Sequence, residues 1–287
     1  MTPNFVSSAD LLGTWWTDVT TGPPPVRYTL PEPFSNIDTR PGRLILLGGS
    51  PASGKTAALT QITVELLRAN PDLRILTVNV EMTPTAIIER AIARLSGVPL
   101  TAIADRLLDA RQQQRIRDAV DLLAPIAARW CFLQQPYTLE HIAAAADQVG
   151  ALVLTIDYIQ RLQHGSSAGQ RDTREMLEAI TEILRRFCDR GALVLAAAAV
   201  ARTKDTHGSS YQRLNLASYR GSSEFEYNAD QAFLLTCPHA GTVQFNCVKH
   251  RYGLPTNIMT TFDARTQSFT PAPSGLAGFD DVEPATS

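Results

Sequence analysis

The chain has 287 residues, 44% of them hydrophobic and 19% charged, with a formal net charge of -2 at pH 7, enough chain to bury a sizeable core. A mean hydropathy of -0.07 and the lack of any apolar run near the roughly 18 residues needed to span a bilayer exclude a membrane-spanning protein. The charge balance excludes a surface that coats nucleic acid all over, while leaving room for a local basic groove.

Residues 1 to about 40 read as an arm. Met1–Val6 has neither the basic nor the apolar region of a secretory signal, so a cytoplasmic location is expected. Ser8 can cap a short helix through Leu11, Leu12, Trp15 and Trp16, which the run Thr20–Pro25 then breaks. From Arg43 onward, short apolar runs alternate with longer helical periods, the pattern of βα units around a buried, mostly parallel sheet. Strands are predicted at about 43–48, 74–80, 130–133, 151–156 and 192–198, followed by a meander at 231–237, 242–249 and 257–263. Helices are predicted at about 54–69, 84–96, 101–109, 111–128, 138–149 and 171–190. Two stretches rich in Gly, Ser and Arg, 163–171 and 202–224, read as long loops, which in compact domains usually carry function or disorder. The segment 271–287, with Asp280, Asp281 and Glu283, lacks a core-forming period and reads as a disordered acidic tail. The three parts are then an arm at 1–40, one α/β domain at 41–270 and the tail.

Cys131, Cys188, Cys237 and Cys247 lie far apart without a CxxC pair, so free buried thiols are expected rather than a zinc site or a disulfide frame. The chain uses arginine for most of its positive charge and has only three lysines, Lys55, Lys204 and Lys249. The first of them falls in Gly49–Ser50–Pro51–Ala52–Ser53–Gly54–Lys55–Thr56, which satisfies G-x-x-x-x-G-K-[ST] between an apolar run and a helical period. In such a P-loop the glycines let backbone N–H groups face phosphate oxygens. Lys55 reaches the β/γ-phosphates of ATP and the Thr56 hydroxyl holds Mg²⁺. Leu152–Asp157 is an apolar strand ending in an acid, placing Asp157 in the Walker B role as the second magnesium ligand. Glu81 closes the strand predicted at 74–80 at the edge of the sheet where open α/β folds bind ligands. From spacing alone it reads either as a carboxylate that activates water or as a first-turn residue stabilising the next helix.

Taken in order, GSPASGKT, NVEM, LTIDYIQ, AAAAVAR, LASYRGSSEFEYNAD and KHRYG resemble the RecA-like ATPase domain of DnaB-type replicative helicases over residues 30–270. The resemblance implies a mostly parallel twisted sheet flanked by helices, with the C-terminal meander appended. It implies a ring, most often a hexamer, that hydrolyses ATP with Mg²⁺ on single-stranded DNA in DNA replication. It makes Glu81 the catalytic glutamate, and it makes Lys249 and Arg251 similar to the basic pair that these ATPases extend into the neighbouring subunit's nucleotide. Arg202, Lys204, Arg213 and Arg220 give the segment 202–220 a net charge of +3 against Asp205. The resemblance places that segment along single-stranded DNA, gripping its backbone.

The chain also departs from the family pattern. Ala198–Ala199 stands where a polar Ser–Gln pair is usual, and Ala217–Ser223 keeps Arg220 but lacks an acid on either side. ATP binding survives these changes, whereas processive unwinding does not follow from them. The alternative is a non-helicase ATP-switched assembly or regulatory protein, which would bind a protein partner through its arm or acidic tail.

Overall fold

The computed structural model describes residues 6–162, 173–200, 203–205, 208–210 and 228–273, leaving aside the side chains of 173–179 and of the last two short strands. Helix α1 (Ser8–Thr21) opens with a capping box at Ser7, one residue before the expected Ser8. The Ser7 hydroxyl accepts the Asp10 N–H at 3.2 Å while the Asp10 carboxylate accepts the Ser7 N–H at 3.1 Å. No residue of α1 is buried, and Leu11, Leu12, Trp15 and Trp16 are 51–64% exposed.

The chain joins the core at Tyr28, well before the first strand. Leu30, Phe34 and Ile37 are buried, and Phe34 packs edge-on against Phe245 and Phe269 at 5.3 and 5.8 Å between ring centroids. Buried Asp38 anchors this segment, donating its N–H to Gln231 and accepting from Arg40 and Arg43.

Strand β1 (Leu44–Gly49) leads into α2 (Lys55–Ala69), then β2 (Ile75–Asn79) into α3 (Pro84–Ser96), with α4 (Leu100–Ala104) and α5 (Ala110–Ala127) before β3 (Trp130–Phe132). Helix α6 (Leu139–Val149) precedes β4 (Val153–Asp157) and a one-turn 3-10 helix, Ile159–Arg161. Helix α7 (Thr173–Asp189) feeds β5 (Leu193–Ala199). The short pair β6 (Thr203–Asp205) and β7 (Gly208–Ser210) follows, and β8 (Gln231–Thr236), β9 (Thr242–His250), β10 (Ile258–Asp263) and β11 (Ser268–Pro271) complete the sheet.

Nine strands run in the order β11-β10-β9-β8-β1-β5-β4-β2-β3. From β8 to β3 every neighbouring pair is parallel, and from β8 outward the meander is antiparallel. Strands β1, β2 and β4 are buried throughout because helices cover both faces. The period of two splits their side chains: Ile45 and Leu47 pack with α2 and α3, while Leu44 and Leu46 pack with residues of α6 and α7. All four cysteines are free, but only Cys188 and Cys247 are buried as expected; Cys131 is half-buried, and Cys237, just past the end of β8, is exposed.

Three further expectations need correction. The helix expected at 101–109 stops at Ala104, because Arg106 takes a left-handed φ of 60° and Asp109 caps the next helix through its own capping box. The stretch expected to be a loop at 202–224 contains the antiparallel β6–β7 pair. The meander has a fourth strand, β11, held to α2 because the Gln61 side-chain amide bonds both the N–H and the C=O of Phe269 at 2.9 Å. The loop expected at 163–171 and most of the tail lie outside the described residues.

Candidate active site

Strand β1 delivers the chain to the sheet's carboxyl edge, where Gly49 lies between Ala199 of β5 and Leu235 of β8. A Cβ on Gly49 would stand 2.6 Å from Ser53 Oγ, so the turn requires glycine there. Gly54 has φ +89°, and a Cβ on it would press against the Phe269 ring at 2.9 Å, which explains the second glycine. Helix α2 then starts at Lys55 with no side chain capping its first amides. Those N–H groups and the positive end of the helix dipole face the loop.

Ser53 Oγ is buried beneath this loop with no hydrogen-bond partner among the described residues. An orphaned hydroxyl beside uncapped amides fits a ligand rich in acceptor oxygens, such as a phosphate chain. Lys55 Nζ donates to Gly49 O and Ser50 O, both at 2.8 Å. Burial draws its ammonium below the ordinary lysine range, against the pull of Asp157 and Glu81.

Strand β4 brings in Asp157, which is 6% exposed and accepts the Thr56 hydroxyl at 2.5 Å. Burial pushes the Asp157 carboxyl above the ordinary carboxylate range, the Thr56 bond opposes the rise, and nearby Glu81 adds to it. Asn79, which sequence reading did not single out, pairs with Asp157 across the β2–β4 ladder. Its Nδ2 donates to Asp157 Oδ2 at 3.3 Å, while its Oδ1 accepts the N–H groups of Glu81 and Met82 at 3.0 and 2.7 Å. Asn79 therefore fixes the turn that carries Glu81 to the strand that carries Asp157.

These residues surround one cavity of about 630 Å³, whose walls include Pro51–Thr56, Glu81, Asp157, Ala199 and Val200, a size suited to a nucleotide. The end of β10 and the β10–β11 turn close it with Phe262 and Gln267. Arg90 of α3 also lines it and was not read from the sequence. Burial lowers this guanidinium's affinity for its proton, and Asp157 and Glu89 oppose that, leaving a cation beside the carboxylates. The hard oxygens of Thr56 and Asp157 side by side suit Mg²⁺.

Lys249 and Arg251 stand elsewhere. Lys249 pairs with Ala232 near the end of β9, and Arg251 bonds buried Asp230 through its N–H at 2.8 Å and Nη1 at 3.1 Å. Asp230 also accepts the N–H of Leu44, the first residue of β1, so this pair occupies the amino edge, about 17 Å of strand from Gly49. Arg202, Arg213 and Arg220 lie outside the described residues. So does the side chain of Lys204, whose backbone belongs to β6.

Among the described residues no helix is long and apolar enough to cross a membrane. No curated protein matches the chain. Among solved structures, one described as an ATPase domain matches with TM-score 0.78 and 18% identity over 94% of this chain and 100% of that chain. Another, described as a DnaB-like replicative helicase with its primase interactions, matches with TM-score 0.74 and 17% identity over 93% of this chain and 67% of that one. At these identities the likeness establishes the fold, a RecA-like α/β domain. The family model for the DnaB-like helicase C-terminal domain matches residues 37–271. The chain therefore belongs to the DnaB-like helicase C-terminal domain family and is an ATPase.

Proposed function

We propose that the chain is the motor subunit of a homo-oligomeric ring, most simply a hexamer, that hydrolyses ATP with Mg²⁺ and holds single-stranded DNA in DNA replication. The observation that carries this reading is the convergence of the P-loop, Asp157 and Glu81 on one cavity. In it the α2 amides, Ser53 and Lys55 bind the β- and γ-phosphates. Thr56 and Asp157 hold the magnesium, which when bound neutralises charge developing on the phosphate oxygens. Glu81, fixed by Asn79, accepts a proton from the attacking water. Arg90 steadies negative charge at the same wall. Arg251 and Lys249, on the far edge from their own P-loop, serve the nucleotide of the next subunit.

Two substitutions separate binding from chemistry. Lys55→Ala abolishes hydrolysis, whereas Glu81→Gln keeps binding of a fluorescent ATP analogue and lowers turnover about 100-fold or more. Normal turnover in Glu81→Gln would remove it from the chemical step. For DNA, the basic segment predicts affinity that falls steeply with salt and depends little on base sequence. Replacing Arg213 and Arg220 by Ala lowers the slope of log affinity against log salt by about 0.7 for each phosphate that is no longer neutralised. Undetectable binding of single strands at low salt would instead favour the second reading, an ATP-switched assembly protein, which the exposed apolar face of α1 also suits.

A further inference from the structure

The turn after Asp157 makes a pair of hydrogen bonds that none of the roles above uses. Strands β4 and β5 pair only as far as Ile156 and Ala196, whereas β1 and β5 stay paired to Gly49 and Ala199. The end of β5 therefore runs on without the β4 backbone on one side. There Gln160 takes its place: Nε2 donates to Ala199 O at 3.2 Å and Oε1 accepts the Ala199 N–H at 3.0 Å. A side-chain amide that fills both backbone valences extends the ladder by one rung, and it belongs to the turn rather than to the strand.

The 3-10 helix that carries Gln160 is held at its base by Ile159, which is fully buried, and it begins two residues after Asp157. Its last residue, Arg161, lies 3.9 Å from the Glu81 carboxylate, an exposed pair worth little in stability. One helical turn therefore adjoins Asp157, Glu81 and β5. Ala199 itself carries no group that could sense the nucleotide, although it lines the cavity.

We propose that Gln160 is a positioning residue that ties the carboxyl end of β5 to the Asp157 turn, so that a change in nucleotide state moves the chain leaving β5. The proposal rests on the ATPase reading above. A rigid double hydrogen bond transmits displacement of the turn, where a methyl side chain on β5 transmits none.

Hydrogen exchange of the peptide covering 193–200 in the full chain, with ADP and with a non-hydrolysable ATP analogue, tests this directly. Wild type should show slower exchange at the β5 end with the analogue. Gln160→Met, which keeps the shape and removes the amide, should exchange at least about ten-fold faster there, equally in both nucleotides, with basal turnover within about three-fold of wild type. Gln160→Glu keeps the acceptor for the Ala199 N–H and should fall between the two. Arg161→Ala, at an exposed site that threatens no fold, should leave the Ala199 amide protected. A nucleotide-dependent difference that persists in Gln160→Met, or its absence in wild type, overturns the proposal. Collapse of basal turnover in a folded Gln160→Met also overturns it, by placing Gln160 in the chemistry. Failure of DNA binding with the exchange pattern intact would sink the DNA reading and leave this one standing.

Discussion

Asp157 shows how a single residue trades stability for a site. Its carboxyl sits 6% exposed, with Thr56 and Asn79 as hydrogen-bond donors, and burial still raises its affinity for a proton above the ordinary carboxylate range. A carboxyl whose folded pKa is raised stabilises the fold fully below its unfolded pKa and loses that contribution as pH rises through the folded value. Wherever this carboxyl is ionised, the nucleotide-free protein carries an unfavourable buried charge. Asp157→Asn should raise its stability at neutral pH, read as a higher Tm, while abolishing Mg²⁺-dependent hydrolysis. Calorimetry across pH checks the sign: the gain must be present at neutral pH and shrink in acid, where both states bind the proton. A lower Tm at neutral pH would show that the bonds to Thr56 and Asn79 outweigh the burial of charge.

At the scale of elements, α1 stands apart from the packing that explains everything else. Its helix buries no residue of its own, while the segment from Tyr28 to Thr39 is stitched into the core by Phe34, Ile37 and Asp38. Isolated helices of 14 residues are marginal in water, so on the proposed ring Trp15 and Trp16 would gain burial against a neighbouring copy. Deleting residues 1–22 should then leave the thermal midpoint of the domain nearly unchanged and lower the assembly mass in sedimentation. An unchanged mass would assign the arm to another partner. The elements that sequence exposes are those whose cause is local. The P-loop was legible because its glycines, lysine and helix start are contiguous, and Asp157 because its strand is an apolar run, broken only by Thr155, that ends in an acid. Strand β11 was not legible, since four residues with a terminal proline give no period and its hold comes from Gln61, 208 residues away in sequence. Asn79 and Arg90 were missed for the same reason: each meets the site only after β2 and β4 pair and α3 packs back over the P-loop edge. The early end of α4 depends on the backbone of Arg106, which no propensity marks.

At the scale of the whole molecule, the sheet has two chemically distinct edges. The carboxyl edge carries the P-loop, Glu81 and Asp157, and the amino edge carries the node at Asp230, which is 1% exposed and bonded to both Arg185 and Arg251. The Asp230 main-chain carbonyl accepts the Arg251 N–H, and its buried carboxylate gives the guanidinium a set direction. On the proposed reading, a cation preset about 17 Å of strand from its own phosphate site serves hydrolysis in another copy, and a head-to-tail contact repeated by a closing rotation would make a ring. Rings of Arg251→Ala alone should then be inactive, as should rings of Lys55→Ala alone. In an equimolar mixture about a quarter of the interfaces pair an intact P-loop with an intact arginine. ATPase activity should therefore reappear on mixing, peak near equal proportions and vanish towards either pure mutant. Subunit exchange must be allowed before the assay, and native mass measurement confirms that mixed rings form. Mixed rings that stay as inactive as their components would place Arg251 outside the reaction of the neighbouring subunit. Its bond to Asp230 would then be a structural tie between β1, α7 and β9.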